Sequence, residues 1–465
     1  MKVLKFGGSS VANGERIRDV TRIVAEAARE GRIAVVLSAM KGVTDLLIES
    51  AKKAAAGTGE HGAVIQKIRS THSSAVEFLF TPSARSEVTA PLEAMFCELS
   101  EILHGAQLLK ECSPRTLDLV MSFGERLSCA LATAYMRASG LDAEVIDARE
   151  LVLTDDRFGS ASVDLPATYG KVRSRLSAVR SVPIVPGFIG ATENGVTTTL
   201  GRNGSDYTAS IIGAAVGAEL IDIWTDVDGV LSADPRLVPG AFVVPTISFE
   251  EAMELSYFGA KVIHPYTMIP AVEKGIPIRI KNTLNPSAPG TIIGEKTSGG
   301  RDHPVTGIAS IEGISLVNIE GGGMIGIPGI AARIFSALAR EGINIIMISQ
   351  ASSEHTICLV FKTNEAARAL EALRRELALE LETKRIQGFQ LVQDLLVVSV
   401  IGENMRGTPG IAGRLFSALG KAGVNILVIA QGSSERNISF VIEEKNHALA
   451  LRTIHSAFLS PEDKK

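Results

Sequence analysis

Six short segments carry residue types that could bind small charged ligands. The first is Lys5-Phe6-Gly7-Gly8-Ser9-Ser10, directly after a strand-like start. Two glycines let the backbone approach an anion closely, the following helix start offers free N–H groups, and Lys5 adds a point charge. A bare Gly-Gly is more often an ordinary strand-to-helix turn. The upstream lysine and the two serines favour phosphate binding through Lys5, Gly7, Gly8 and Ser9. The segment is neither the Walker-type P-loop nor G-x-G-x-x-G.

The second segment, Ser38-Ala39-Met40-Lys41-Gly42-Val43-Thr44-Asp45, follows a strand and puts Ser38 and Thr44 where open α/β sheets bind ligands. Taken alone, Thr44 reads as a helix cap. The third holds Glu125 inside an apolar pattern that continues with Leu127, Ala130 and Leu131. A carboxylate there needs a partner. Arg126 or another basic neighbour would serve, and so would a substrate ammonium. In the fourth, Gly201-Arg202-Asn203-Gly204-Ser205-Asp206, Arg202 is a natural clamp for a carboxylate, while Ser205 or Asp206 can cap the next helix. The fifth runs from Trp224-Thr225-Asp226-Val227-Asp228-Gly229 to Asp234-Pro235-Arg236. Asp228-Gly229 is a turn signal by itself, and the acidic pair could also meet a Mg–nucleotide or a ribose. The sixth brings Lys261, with His264 before a proline in an apolar setting that reads as structural.

These residues need a scaffold, and the composition supplies one. The chain has 465 residues, enough for two to four domains, and 46% of them are hydrophobic. A net charge of −4 does not favour nucleic acid or an anionic membrane. The four cysteines form no C-x-x-C pair, which argues against a disulfide framework and a zinc site, and no metal site is expected. No signal peptide or membrane-length apolar run is read, so a reduced cytoplasmic setting is expected. Strand-like runs such as Ile33-Ala34-Val35-Val36-Leu37 and Leu220-Ile221-Asp222-Ile223-Trp224 alternate with helical patterns, implying an α/β domain with a mostly parallel sheet. The stretch from Gly57 to Leu117 reads as a helical excursion on it. Pro, Gly, Ser and Thr cluster between Asn285 and Pro304, a boundary signature.

Beyond the boundary lies a duplication. The run from Gly326 to Leu338 returns from Gly407 to Leu419 at an offset of 81 residues, and the match continues without a gap to Glu354 and Glu435. Each copy reads as strand, Pro-Gly turn, helix, strand, strand, helix. Two copies are too few for a solenoid. The turns at Pro328-Gly329 and Pro409-Gly410 and the amides Asn344, Gln350, Asn425 and Gln431 could meet a small carboxylate ligand. They could equally be structural turns and solvated amides, but duplication of the whole set favours the ligand.

Taken in order, the six segments resemble aspartate kinases of the amino acid kinase superfamily, and the duplicated tail resembles tandem ACT domains. The wording of Gly201 to Tyr207 and of Glu254 to Phe258 is closest to the kinase half of aspartokinase–homoserine dehydrogenases. No dehydrogenase part follows, so a second activity is not expected. The resemblance implies a three-layer kinase sandwich over 1–295 and two ferredoxin-like α+β domains over 305–390 and 391–465, with strand exchange between them open. It implies Lys5 and Asp206 as catalytic residues, with Lys5, Gly7, Gly8 and Ser9 around the transferred phosphoryl group. Ser38, Thr44, Glu125, Arg202 and Ser205 would bind aspartate, and Thr225, Asp226, Arg236 and Lys261 would bind Mg-ATP. Leu231 stands where many relatives carry an aromatic residue near the nucleotide. The implied effector, at Asn344, Gln350, Asn425 and Gln431, is threonine ahead of lysine, and the implied assembly is a homodimer or homotetramer. Rival readings are a kinase of glutamate, N-acetylglutamate or carbamate, and a catalytically silent amino-acid-binding regulator.

Overall fold

The structure, a computed structural model, describes residues 1–258, 265–295, 303–321, 329–350 and 356–459. It divides into two compact units. The first comprises Met1–Val230, Pro245–Phe249 and Val262–Thr297.

The first unit opens with β1 (Lys2–Phe6), α1 (Gly14–Glu30), β2 (Ile33–Leu37) and α2 (Val43–Ala55). The helical excursion follows as α3 (His61–Leu79), α4 (Pro82–Leu109) and α5 (Pro114–Ala138). Then come β3 (Ala143–Val145), α6 (Ala148–Leu151), α7 (Leu165–Ala178), β4 (Val182–Pro186) and the hairpin β5 (Ile189–Ala191) and β6 (Thr197–Thr199). The unit continues with α8 (Gly204–Val216), β7 (Leu220–Thr225), β8 (Thr246–Ser248), the start of α9 (Phe249–Tyr257), α10 (Pro265–Glu273), β9 (Ile278–Asn282) and β10 (Thr291–Gly294).

Eight strands join in the order β3-β4-β2-β1-β7-β9-β10-β8. The run from β3 to β9 is parallel, and only the β9–β10 pairing is antiparallel. Parallel strands are covered on both faces, which explains why Ile33–Leu37 is buried at every position. Alternation along β1 sorts its side chains between the layers. Leu4 and Phe6 join the large core with Ile17 and Val20 of α1 and Phe123 and Leu127 of α5. Lys5 points the other way, to α8. The helices begin where their sequences allow: Asn13 Oδ1 accepts from Arg16 N at the start of α1, and Ser113 caps α5 ahead of Pro114.

The second unit contains the duplicated tail. The first copy is β11 (Gly307–Glu320), α11 (Ile330–Arg340), β12 (Met347–Gln350), β13 (Thr356–Lys362), α12 (Ala366–Glu376) and a short α13 (Ala378–Glu382). The second is β14 (Gly388–Ile401), α14 (Ile411–Lys421), β15 (Val428–Ala430), β16 (Asn437–Glu443) and α15 (His447–Leu459). They build one antiparallel sheet, β12-β13-β11-β14-β16-β15. The two long strands are shared. Ile314–Glu320 of β11 pairs with β13 of its own copy, whereas Gly307–Ile311 runs along Ile401–Val397 of the second. The register breaks between Ile311 and Ile314. Ser349 Oγ of β12 donates to the Ile429 carbonyl of β15 at 3.3 Å, so the outer strands meet.

This unit also takes Leu231–Val244 and Glu250–Lys261, which the sequence reading assigned to the kinase domain of 1–295. Ala233 and Val238 are buried with Leu451, Ile454 and Phe458 of α15. His455 Nε2 lies 3.1 Å from Ser232 Oγ, and Arg452 Nε donates to Leu237 O at 2.7 Å. Glu403 N donates to Glu251 Oε1 at 2.9 Å, and Asn437 Nδ2 to Glu254 Oε2 at 2.5 Å. Among the described residues no helix is long and apolar enough to cross a membrane.

Candidate active site

The parallel strands point their C-terminal ends to one edge, and the connections there hold most of the candidate residues. After β1 the backbone turns at Gly7, whose N–H donates to Trp224 O at 3.1 Å, and Ser10 N closes the turn on Gly7 O at 2.9 Å. A Cβ on Gly8 would sit 2.9 Å from the Ala39 carbonyl, so only glycine lets this turn lie against the exit of β2. Among the described residues the Gly8 and Ser9 amides donate to no backbone carbonyl. The Lys5 ammonium lies over the turn, 3.6 Å from where a Gly7 Cβ would stand. It is buried and pairs with Asp206 Oδ1 at 2.6 Å. Asp206 is in the first turn of α8, which starts after Asn203 in the left-handed region at φ 56. A cation, two uncommitted amides and a helix N-terminus thus converge, as an anion site requires.

Glu125 is 3% exposed, midway along α5. Gly124 lets α5 approach, because a Cβ there would be 2.8 Å from that of Ala39. Ala39 N donates to Glu125 Oε1 at 3.2 Å, and Oε2 has no partner among the described residues. Burial pushes its carboxyl up to about 8, against the lowering effect of the Ala39 N–H and the Lys5 charge. Arg126 is not its partner: that guanidinium lies over the Phe123 ring at 4.4 Å and pairs with Glu98 at 3.1 Å. Glu125 is therefore a buried acid short of one partner, facing a region that already contains a lysine.

The remaining residues divide. Ser38, half-buried, donates its N–H to Phe6 O at 3.1 Å beside the Lys5 turn. Thr44 lies inside α2 and does not cap it; Gly42 occupies the cap at φ 80 with no side-chain bond. Ser205 packs so closely on Gly187 that a Cβ on that glycine would lie 2.6 Å from its own. Arg202 is exposed and makes no ion pair among the described residues. Thr225 and Asp226 line a cleft of ≈ 220 Å³ together with Ser9, Ser10, Lys41 and Thr283. Asp228 is held by Asn282 Nδ2 at 2.8 Å and Asn285 Nδ2 at 3.2 Å, so it serves the turn. Arg236 and Leu231 fall in the second unit, where Arg236 is bound by Asp234, Nη2 to Oδ2 at 2.6 Å. Lys261 and His264 lie outside the described residues, as does Pro328. Asn344, Gln350, Asn425 and Gln431 are all exposed, near equivalent ends of β12 and β15, and Gly329 and Gly410 start their helices at φ 95 and 89.

One residue escaped the sequence reading. Asp118 is fully buried on α5. Its carboxylate accepts from Gly159 N at 2.9 and 3.0 Å, from Thr199 N at 2.9 Å and from Thr199 Oγ1 at 2.8 Å. Burial pushes its pKa up, and the bonds from Gly159 and Thr199 oppose that rise. The available signal was a lone acid in Leu117-Asp118-Leu119-Val120, seven residues before Glu125 and so on the same helix face.

Comparison with known proteins fits this geometry. The amino acid kinase family model matches residues 1–282, and the ACT domain model matches 317–377 and 398–458. The bifunctional aspartokinase/homoserine dehydrogenase of Haemophilus influenzae is 37% identical over 465 residues, 99% of this chain and 57% of that protein. The chain spans about half the length of the bifunctional relatives it matches. Aspartokinase 1, chloroplastic, of Arabidopsis thaliana is 37% identical over 99% of this chain and 80% of its own length. Among solved structures, E. coli aspartokinase III in complex with aspartate and ADP superposes with a TM-score of 0.80 at 31% identity, covering 98% of this chain and 99% of that one. By fold, glycine turn and these matches, the chain belongs to the amino acid kinase family, in its aspartokinase branch, with a pair of ACT domains.

Proposed function

We propose that the chain is an aspartate kinase, transferring the γ-phosphoryl group of ATP to the β-carboxylate of L-aspartate to give 4-phospho-L-aspartate. The observation that carries this reading is Glu125. It is a buried acid with one oxygen that has no partner among the described residues, near a phosphate-type lysine turn, which suits a substrate bearing a free ammonium. N-acetylglutamate has no such ammonium. Arg202, exposed and without an ion pair among the described residues, would take the α-carboxylate, and Ser38 and Thr44 would steady the β-carboxylate, with Ser205 shaping that wall. Thr225 and Asp226, with Arg236 and Lys261, are assigned to the nucleotide.

The β-carboxylate is its own nucleophile. With a reference pKa near ~3.9 it is ionised at neutral pH, so no general base is needed. The problem is to bring an anion to a polyanion. Lys5, oriented by Asp206, and the amides of Gly8 and Ser9 would neutralise charge where it develops during transfer. Mg²⁺ would arrive on the nucleotide and add charge neutralisation at its phosphates. Among the described residues no three His, Cys, Asp or Glu side chains gather into a metal cage.

The paired ACT domains would sense an end product of the aspartate pathway, whose products are lysine, threonine and methionine. Threonine is our first choice through Asn344, Gln350, Asn425 and Gln431, and lysine the second. A structure of E. coli aspartokinase III contains lysine and aspartate and is described as T-state. Inhibition requires tighter effector binding to an inactive state. A homodimer or homotetramer in a reducing, cytoplasm-like compartment completes the proposal. The test is ADP release from Mg-ATP with aspartate, glutamate or N-acetylglutamate, with and without threonine or lysine. Aspartate-dependent turnover supports the kinase, and its fall with threonine supports the sensor. Turnover with another acid, or none, overturns the reading.

A further inference from the structure

The residues assigned to the substrate differ in how they are held. Lys5 has Asp206, and Glu125 has Ala39 N. Arg202 has nothing on its side chain among the described residues, so its placement comes entirely from its backbone. That backbone leaves β6 at Thr199, three residues earlier. Thr199 is gripped twice by Asp118, through its N–H and its hydroxyl, and its carbonyl accepts from Ala161 N at 2.9 Å. The same carboxylate grips Gly159, which stands at φ 87. The Gly159–Ser160 turn is in turn packed under Gly201, where an added Cβ would meet Ser160 Oγ at 3.2 Å and Gly159 O at 3.5 Å. Two chain segments that flank Arg202 therefore converge on one buried carboxylate.

All the bonds at Asp118 are donated to it, which is the pattern of an ionised, acceptor-only carboxylate. No cation pairs with it among the described residues, so three N–H and O–H donors carry the whole burden. An apolar residue there would fill the same space but leave the Gly159 and Thr199 N–H groups without that acceptor. We infer that Asp118 is a positioning residue: it sets the Arg202 backbone, and through it the affinity for the α-carboxylate of the amino acid substrate. This rests on the reading of Arg202 as the carboxylate clamp.

The test is steady-state kinetics of Asp118→Asn, which keeps the shape but turns an NH₂ toward a backbone N–H. We expect KM for aspartate to rise about tenfold, with KM for ATP within about twofold and kcat falling less than KM rises. Thr199→Val, which removes only the hydroxyl, should show the same split at about threefold, and it serves if Asp118→Asn fails to fold. Arg202→Ala is run alongside. In its background Asp118→Asn should add little, because both act through one contact. Equal losses in both KM values, or full additivity with Arg202→Ala, overturn the positioning role. If Arg202→Ala raises KM for aspartate while Asp118→Asn and Thr199→Val do not, this inference alone falls. If Arg202→Ala itself leaves KM for aspartate unchanged, the clamp assignment falls and this inference with it.

Discussion

The two regions proposed to meet ligands use the same backbone device and differ in how firmly they fix it. At the kinase edge a glycine turn meets a helix N-terminus, and the side chains around it are buried and mutually committed: Lys5 to Asp206, Glu125 to Ala39 N, Asp118 to Gly159 and Thr199. In the repeats Gly329 and Gly410 also start helices, yet Asn344, Gln350, Asn425 and Gln431 stand exposed. Charge stabilisation in a reaction rewards groups fixed beforehand. A sensor would work by binding two states unequally, and exposed amides suit that. Substitutions at the edge should accordingly be costly and specific, and those in the repeats mild and regulatory.

The sharpest attempt to break this contrast is Lys5→Ala. We expect kcat to fall on the order of 10²- to 10³-fold, with a smaller rise in KM for aspartate. Asp206 would be left buried without its cation, so the variant should also unfold more easily. An unchanged kcat would remove Lys5 from the chemistry.

Glu125→Gln comes next. The amide keeps the bond to Ala39 N but loses the charge, so KM for aspartate should rise about 10- to 100-fold. The free enzyme offers a second readout. With its carboxyl pushed up to about 8 from 4.5, the folded state keeps a proton that the unfolded chain has already lost. Stability present below pH 4.5 is then lost as pH rises toward 8. Glu125→Gln should flatten that slope in denaturant titrations and raise Tm at pH 8. At pH 7 aspartate binding to the wild type should release about one proton, seen by calorimetry in buffers of different ionisation enthalpy. Heats that do not depend on the buffer would deny Glu125 the ammonium.

The mildest effects belong to the repeats. Replacing Asn344 and Gln350, or Asn425 and Gln431, by alanine should raise the inhibitory threonine concentration about fivefold per lost bond, with kcat unaltered. Stability should move by no more than about 0.5 kcal/mol, since the sites are exposed. An effect confined to one pair would identify which copy senses. No effect from either would place the effector elsewhere.

The sequence disclosed the kinase edge because its motifs sit at strand ends, where alternating buried runs and glycines are visible. The duplication was read from identities alone, and the element order of both copies follows it. Three things lay beyond that reading. Glu125 had two possible partners in sequence, and only the fold sends Arg126 to Glu98. Asp118 bonds residues 41 and 81 positions away, which no local pattern reports. Leu231–Val244 falls within the 1–295 that the resemblance implies for the kinase domain, while its Ala233 and Val238 are buried with residues of α15, more than 200 positions later.

The long strands β11 and β14 also bear on inheritance. Gly307–Ile311 opens the first copy yet completes the sheet of the second, and Gly388–Val392 opens the second yet completes the first. A rearrangement that deleted or transplanted one copy would strip a strand from the other and expose its hydrogen-bonding edge. The pair should therefore travel between genes as a single block, and a new sensitivity should arise by substitution within it.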